Sequence, residues 1–244
     1  MNQNVQQLHE LLKRSSHIVF FGGAGVSTAS NIPDFRSDEG LYSGKEQKKY
    51  PYPPETMLSH TFFVRHTEQF FEYYFDKMVY PDAKPNPAHI ALAKLEEMGK
   101  LSAVITQNID GLHQQAGSRR VLELHGSVYR NHCMRCGKSY PVESVLSADA
   151  VPHCDCGGII KPDVVLYGEG LDPATLTAAV EAVSQADMLL IGGTQLSVYP
   201  AAGLVDYFRG RDLAVINLSV TPRDAEAALT IRRPIGEVLA AVVP

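Results

Sequence analysis

Four apolar residues, Ile18-Val19-Phe20-Phe21, run without polar alternation into Gly22-Gly23-Ala24-Gly25-Val26-Ser27. A stretch with no wet face reads as a strand covered on both sides, as in a parallel sheet between helices. The glycines after it let the backbone turn sharply and approach a ligand, because no Cβ intervenes. Ser27 and Thr28 are placed to open a helix whose free N–H groups face a phosphate. As a dinucleotide fingerprint the stretch is incomplete. Thr28 stands where glycine or alanine is wanted, and no acidic residue ends a second strand about 20 residues on. A tight strand-to-helix turn explains the glycines alone equally well, so the rest of the chain has to decide.

Val5, Leu8, Leu11 and Leu12 recur at helical spacing ahead of that strand. Asn86 and Pro87 are a cap and first-turn signal for a helix over Ala88 to Met98, stopped at Gly99. Ala103-Val104-Ile105-Thr106 is the next buried strand, and Val121-Leu122-Glu123-Leu124 a short one ending at His125. The alternation resumes with Val164 to Tyr167, then a helix capped by Asp172 and Pro173 and running to about Gln185. There follow the strand Met188 to Gly192, a helix after Pro200, the strand Leu213 to Leu218, and an amphipathic helix near Ile235 to Val243.

Strands alternating with helices predict an α/β fold with a doubly wound, Rossmann-like parallel sheet. The expected sheet domain takes residues 1–36, 85–126 and 162–244. Residues 37–84 and 127–161 break the rhythm and form a smaller domain, a helical lobe with a zinc ribbon. In the lobe, Asp38 to Pro54 reads as a long loop. Glu55 to Met78 reads as an aromatic-rich helix whose rings (Phe62, Phe63, Phe70, Phe71, Tyr74, Phe75) make a local core.

All four cysteines lie between Cys133 and Cys156, and the N-terminal residues carry no secretory pattern, so metal is favoured over disulfides. Cys133-x-x-Cys136 and Cys154-x-Cys156, separated by 17 residues, are similar to a zinc ribbon. The second pair has a one-residue gap, and Gly157 and Gly158 supply the freedom for a tighter knuckle. His132 and His153 are adjacent substitutes should a thiolate fail to reach. Four thiolates leave no open position on the metal, so its role is structural. The net charge of −5, from 22 basic against 27 acidic residues, speaks against general nucleic-acid affinity. No apolar run approaches the ~20 residues that span a bilayer, and the expected location is the cytoplasm.

Ala24-Gly25-Val26-Ser27 leads into Asn31-Ile32-Pro33-Asp34-Phe35-Arg36-Ser37, and later come Thr106-Gln107-Asn108-Ile109-Asp110-Gly111-Leu112-His113 and Glu123-Leu124-His125-Gly126. In this order these segments closely resemble the sirtuins, NAD-dependent protein lysine deacylases, over nearly the whole chain. The resemblance implies that Ala24, Gly25, Ser27 and Thr28 surround the NAD pyrophosphate, with Asp34 alongside. It places Phe35 against the nicotinamide or the reacting sugar and Arg36 on phosphate. Gln107, Asn108 and Ile109 line the ribose and nicotinamide end, and Asp110 accepts from the carboxamide. His125 becomes the general base, with His113 the competing histidine. Gly193 and Thr194 hold the adenosine phosphate and ribose, Gln195 stands where many relatives carry serine, and Asn217 and Ile235 complete the adenosine end. Val165, Gly168, Glu169 and Val198 take the substrate peptide by strand addition. Tyr74 and Lys77 fall near the acyl pocket, where a lysine in place of a forked arginine favours acetyl and short neutral groups.

The implied reaction moves the acyl group from lysine to ADP-ribose and releases nicotinamide, with acylated proteins as partners and NAD and one Zn²⁺ bound. Mono-ADP-ribosyl transfer is the alternative within that family. Outside it stand a Rossmann oxidoreductase, which needs hydride chemistry, and a zinc-ribbon module on nucleic acid, whose basic content here is modest (Arg130, Arg135, Lys138).

Overall fold

The first helix, α1 (Gln3–Arg14), turns Val5, Leu8, Leu11 and Leu12 inward, as its spacing dictates. It leads into β1 (Ile18–Gly22), all five residues of which are buried. The computed structural model describes residues 3–35, 40–41, 49–148 and 150–243, so Arg36 and much of the expected loop lie outside the described residues. After β1 the chain does not enter the expected α-helix. It makes two 3-10 turns, Ala24–Val26 and Thr28–Ser30. Asn31, left-handed at φ 62°, and Pro33 soon after it stop the winding.

Three short helices replace the single one expected from Glu55 to Met78: α2 (Pro54–Met57), α3 (His60–Arg65) and α4 (Thr67–Lys77). Ser59 accepts from the Phe62 N–H to start α3 afresh, and His66 leaves the helical region between α3 and α4. Next, α5 (Pro87–Glu97) begins as its sequence predicts. Asn86 accepts from the Ala88 N–H at 2.9 Å, and His89 Nδ1 accepts from the Asn86 N–H at 3.2 Å, a capping box. Then come β2 (Leu101–Thr106), α6 (Leu112–Gln115) and β3 (Val121–Glu123).

The cysteine segment is built on β4 (Gly126–Cys133), β5 (Ser139–Pro141), α7 (Val142–Leu146) and β6 (Ile160–Val164). The strand expected over Val164 to Tyr167 is not formed: β6 ends at Val164 and belongs to the ribbon's antiparallel sheet, and Tyr167 makes an isolated bridge to Ser59. The chain continues into α8 (Pro173–Gln185), capped by Asp172 through the Thr175 N–H, and β7 (Met188–Gly192). Residues Ala201–Tyr207 wind as a 3-10 helix where an α-helix was expected. The last elements are β8 (Asp212–Ile216), β9 (Leu229–Ile231), which sequence reading missed, and α9 (Ile235–Val242).

Six parallel strands form one sheet in the order β3-β2-β1-β7-β8-β9. Counted along the chain within this sheet, that is the 3-2-1-4-5-6 order of doubly wound folds, reversing direction between β1 and β7. Ile18 and Phe20 face a cluster that includes α1, α5 and α9, while Val19 and Phe21 face another that includes α8 and the 201–207 turn. Two covered faces explain the unbroken apolar run of β1. A second sheet, antiparallel in the order β5-β4-β6, shares a third cluster with the rings of α3 and α4. No helix among the described residues is long and apolar enough to cross a membrane.

Candidate active site

At the carboxyl ends of the parallel strands lies a cavity of about 810 Å³, on the crevice where the strand order reverses, the place such sheets bind ligands. Two glycine loops make its floor. Gly25 donates to the Gly193 carbonyl at 2.9 Å. A Cβ on Gly25 would stand 2.9 Å from Gly193 Cα, and one on Gly193 would stand 2.4 Å from Val26 N. Backbone therefore packs directly on backbone, and neither position has room for a side chain.

The loop after β2 is fixed from three sides. Gln107 donates through its backbone to Gly22 O at 3.0 Å and through Nε2 to Thr194 Oγ1 at 3.1 Å. Asn108 Nδ2 donates to Ser27 Oγ at 3.0 Å, and Ser27 Oγ donates to Asp110 Oδ2 at 2.6 Å. The order of that relay follows from proton count. A carboxylate only accepts, so the single Ser27 proton goes to Asp110 and Ser27 must accept from the Asn108 amide. Asn108 keeps its carbonyl oxygen and a second N–H for a ligand. Ser27 is 1% exposed, and its hydroxyl is taken up in the relay. Asp110 Oδ1 also accepts from the Leu112 N–H at 3.0 Å.

His125 follows β3, and its Nδ1 stands 3.0 Å from the Gln107 carbonyl. A carbonyl can only accept, so Nδ1 carries the proton and Nε2 keeps its lone pair. Burial lowers the imidazole pKa below 6.5, against the smaller raising effect of that hydrogen bond. At neutral pH it is an uncharged base. His113 is a different case. It is 1% exposed and absent from the cavity wall, and it packs against the His89 ring at 4.7 Å. Burial brings His113 down to about 3 and His89 to about 4. Both are neutral core histidines.

Each of the other expected cofactor positions among the described residues (Ala24, Gly25, Thr28, Asp34, Phe35, Ile109, Gly193, Thr194, Asn217 and Ile235) lines the same cavity. So do Val165, Gly168, Glu169 and Val198, together with Gln195. The Asn217 amide donates to Ser219 O and Oγ at 3.0 and 3.1 Å, which again presents a carbonyl oxygen. The expected acyl pair separates: Lys77 lines the cavity, whereas Tyr74 lies outside it, buried in the ring cluster and stacked on Phe70. Several wall residues escaped sequence reading, among them Asn86, Val128 and Tyr129. Asn86, read only as a helix cap, also donates to Val26 O at 2.8 Å and Ser30 Oγ at 2.9 Å, holding the glycine loop to α5. Val128 donates to Ile109 O at 3.1 Å, and a Cβ on Gly111 would stand 2.8 Å from the Tyr129 ring. Both sit on β4, whose start after His125-Gly126 was the available signal.

At the far end of β4, the sulfurs of Cys133, Cys136, Cys154 and Cys156 lie within 4.8 Å of one another. The Cys133–Cys156 and Cys136–Cys154 pairs are 3.5 and 3.6 Å apart. A disulfide needs about 2.05 Å, whereas the edge of a tetrahedron with Zn–S bonds of about 2.3 Å is about 3.8 Å. The set therefore fits a tetrahedral Zn²⁺. Hydrogen bonds from the Cys156 N–H and the Tyr140 hydroxyl draw Cys154 down to about 6, against burial. A Cβ on Gly158 would stand 2.7 Å from Cys133 Sγ, so the tight second knuckle does require glycine. Neither histidine substitute is needed: His132 pairs with Asp163, and His153 bridges to Ile159.

Fold and site together define a class: a doubly wound α/β protein with a cleft at the sheet's switch point and an inserted four-cysteine ribbon. The Sir2 family model matches residues 23–200, and the chain belongs to that family. A protein of Clostridium acetobutylicum named NAD-dependent protein deacetylase is 59% identical over 241 residues, 98% of each chain. One of the same name from Clostridium perfringens is 56% identical over the full length of both. A solved Sir2 with a p53 peptide and NAD+ is 40% identical with a TM-score of 0.85, covering 98% of this chain and 96% of the other. A Sir2 bound to acetylated peptide is 39% identical with the same score.

Proposed function

We propose that this protein is an NAD-dependent protein lysine deacetylase that transfers the acyl group to ADP-ribose and releases nicotinamide. The observation that carries the reading is His125. It is neutral, tautomerically fixed by Gln107 O, and placed on one cleft with Asn108, Asp110 and the glycine floor. NAD is a substrate here, and the cleft of about 810 Å³ lies in the upper part of the range for small-molecule sites.

Each residue then has a task. Ala24, Gly25, Ser27, Thr28 and Gly193 line the pyrophosphate end, with Asp34 alongside and Arg36 assigned to phosphate, while Phe35 is assigned to the nicotinamide or the reacting sugar. The Asn108 carbonyl accepts from a ribose hydroxyl, while Asp110 and Ile109 hold the carboxamide. Nε2 of His125 removes a proton from a ribose hydroxyl so that it can capture the acyl carbon. Thr194, Asn217 and Ile235 bound the adenosine. Val165, Gly168 and Val198 offer backbone edges to the peptide. The four thiolates hold a structural Zn²⁺, which locks residues 37–84 and 127–161 into one module against the sheet. Four thiols kept for metal suit a reducing compartment, and we assign the protein to the cytoplasm.

Lys77, which lacks the planar fork that grips a carboxylate, favours acetyl and short neutral acyl groups; faster turnover of succinyl-lysine would overturn that. The principal test is mass spectrometry of an acetyl-lysine peptide incubated with and without NAD. Free lysine, nicotinamide and O-acetyl-ADP-ribose are expected only with NAD. Transfer of ADP-ribose to the peptide, or no product, would refute the assignment.

A further inference from the structure

Lys161, on β6, is 8% exposed, a rare place for an ammonium group unless it is paired. Its three N–H donors meet three acceptors: Pro162 O at 3.2 Å, Val164 O at 3.0 Å and Glu169 Oε2 at 3.2 Å. Glu169 is committed in turn. Oε2 also accepts from the Leu166 N–H at 2.9 Å, and Oε1 stands 2.8 Å from His60 Nδ1 at the start of α3. The Glu169 carboxylate is thus the centre of an internal clasp.

That clasp encloses the segment running along the cleft. Val165 donates to His125 O at 3.0 Å, Tyr167 donates to Leu58 O at 3.0 Å, and the His60 N–H donates back to Tyr167 O at 2.9 Å. Lys161 grips both ends, Val164 through its carbonyl and Glu169 through its side chain. The segment is pinned to the catalytic loop on one side and the helical lobe on the other.

The geometry points to Lys161 as a positioning residue for substrate peptide: it fixes the chain from Val165 into the turn that the Glu169 N–H closes on Leu166 O, so that an added strand finds a rigid backbone edge. This rests on the reading that acyl-lysine peptides pair with that segment. Strand addition to a mobile edge must also order it, at about 1–2 kcal/mol per residue. Loosening one residue therefore weakens peptide binding about five- to thirty-fold. The NAD end of the cleft, held by the β1 and β7 loops, is untouched.

The test compares parent, Lys161→Met and Lys161→Arg, measuring anisotropy of a labelled acetyl-lysine peptide and separate KM values for peptide and NAD. Lys161→Met should raise the peptide Kd and KM about five- to thirty-fold, with the NAD KM unmoved, and Lys161→Arg should recover most of the loss. A Lys161→Met protein with the parent's peptide KM would overturn the inference, as would an equal rise in both KM values. Should that variant fail to fold, Glu169→Gln, which keeps size and loses charge, must show the same peptide-only shift or the inference fails. A parent protein that leaves acetyl peptide unchanged would refute the proposed function instead.

Discussion

The parallel sheet and the ribbon-plus-lobe module hold themselves together by different means. The sheet is closed by two apolar clusters, one on each face, and its central strands β1, β7 and β8 are buried at every residue. The module rests on a single cluster in which Phe63, Phe70, Phe71 and Tyr74 meet the ribbon strands, and Cys133 and Cys154 belong to that same cluster. One body is stabilised by area removed from water, the other by rings and a metal knot that share residues. The difference teaches where the proposed catalytic base sits. His125 lies between β3 of the sheet and β4 of the ribbon sheet, so both bodies must be in place for it to act.

Stripping the metal should produce the largest effect, since thiolate–zinc binding in zinc-finger peptides is worth about 10–16 kcal/mol. Hydrogen exchange after chelation, or in Cys154→Ala, should rise sharply in β4 to β6 while β1, β7 and β8 stay protected. Uniform exposure of both sheets would show that the two bodies are not separable. Next comes the junction. His125→Ala should lower deacetylation about 10²–10⁴-fold yet keep exchange of labelled nicotinamide into NAD, whereas Asn108→Ala should lose both reactions. The parent's kcat/KM should fall on the acid side with an apparent pKa below 6.5, because the free base is lost as Nε2 gains a proton. An acid limb with an apparent pKa above 6.5 would move the base elsewhere.

Phe70→Ala, inside the module's shared cluster, should cost about 3–5 kcal/mol and release bound zinc more readily. A chelator-competition assay reads the second effect, and unchanged zinc retention would separate rings from knot. The smallest effect belongs to Asn86→Ala, about 1–2 kcal/mol. It should raise the NAD KM, because the same amide caps α5 and holds the glycine loop; stability loss with the parent's NAD KM would leave only the cap.

The same contrast governs what could be read from the chain. The sheet was legible because local chemistry and global burial agree there. Asn86-Pro87 and Asp172-Pro173 start helices as capping rules require, and Met188–Gly192 is a strand to the residue. The ribbon's cysteines were legible by spacing, but its strands were not, because the buried residues of β4 (Ser127, Val128, Asn131 and Cys133) do not alternate with exposed ones. The short β9 has three residues, too few for periodicity to register. In the site, residue identities followed from motifs, while hydrogen-bond commitments did not. Nothing in the order of Ser27, Asn108 and Asp110 along the chain announces a relay, nor does Glu169 declare its bond to a lysine eight residues earlier.

The abutting glycine loops carry a consequence for how this protein can vary. Gly25 and Gly193 come from strands more than 160 residues apart, yet each occupies the volume a side chain on the other would need. No compensating partner can exist, since neither can become smaller. In a library that randomises both codons and selects for folded, NAD-retaining protein, the recovered pairs should collapse to glycine at both positions, a correlation without any exchange of sizes. The floor of the cleft is thus its least adaptable part, and diversity among functional variants must come from the walls.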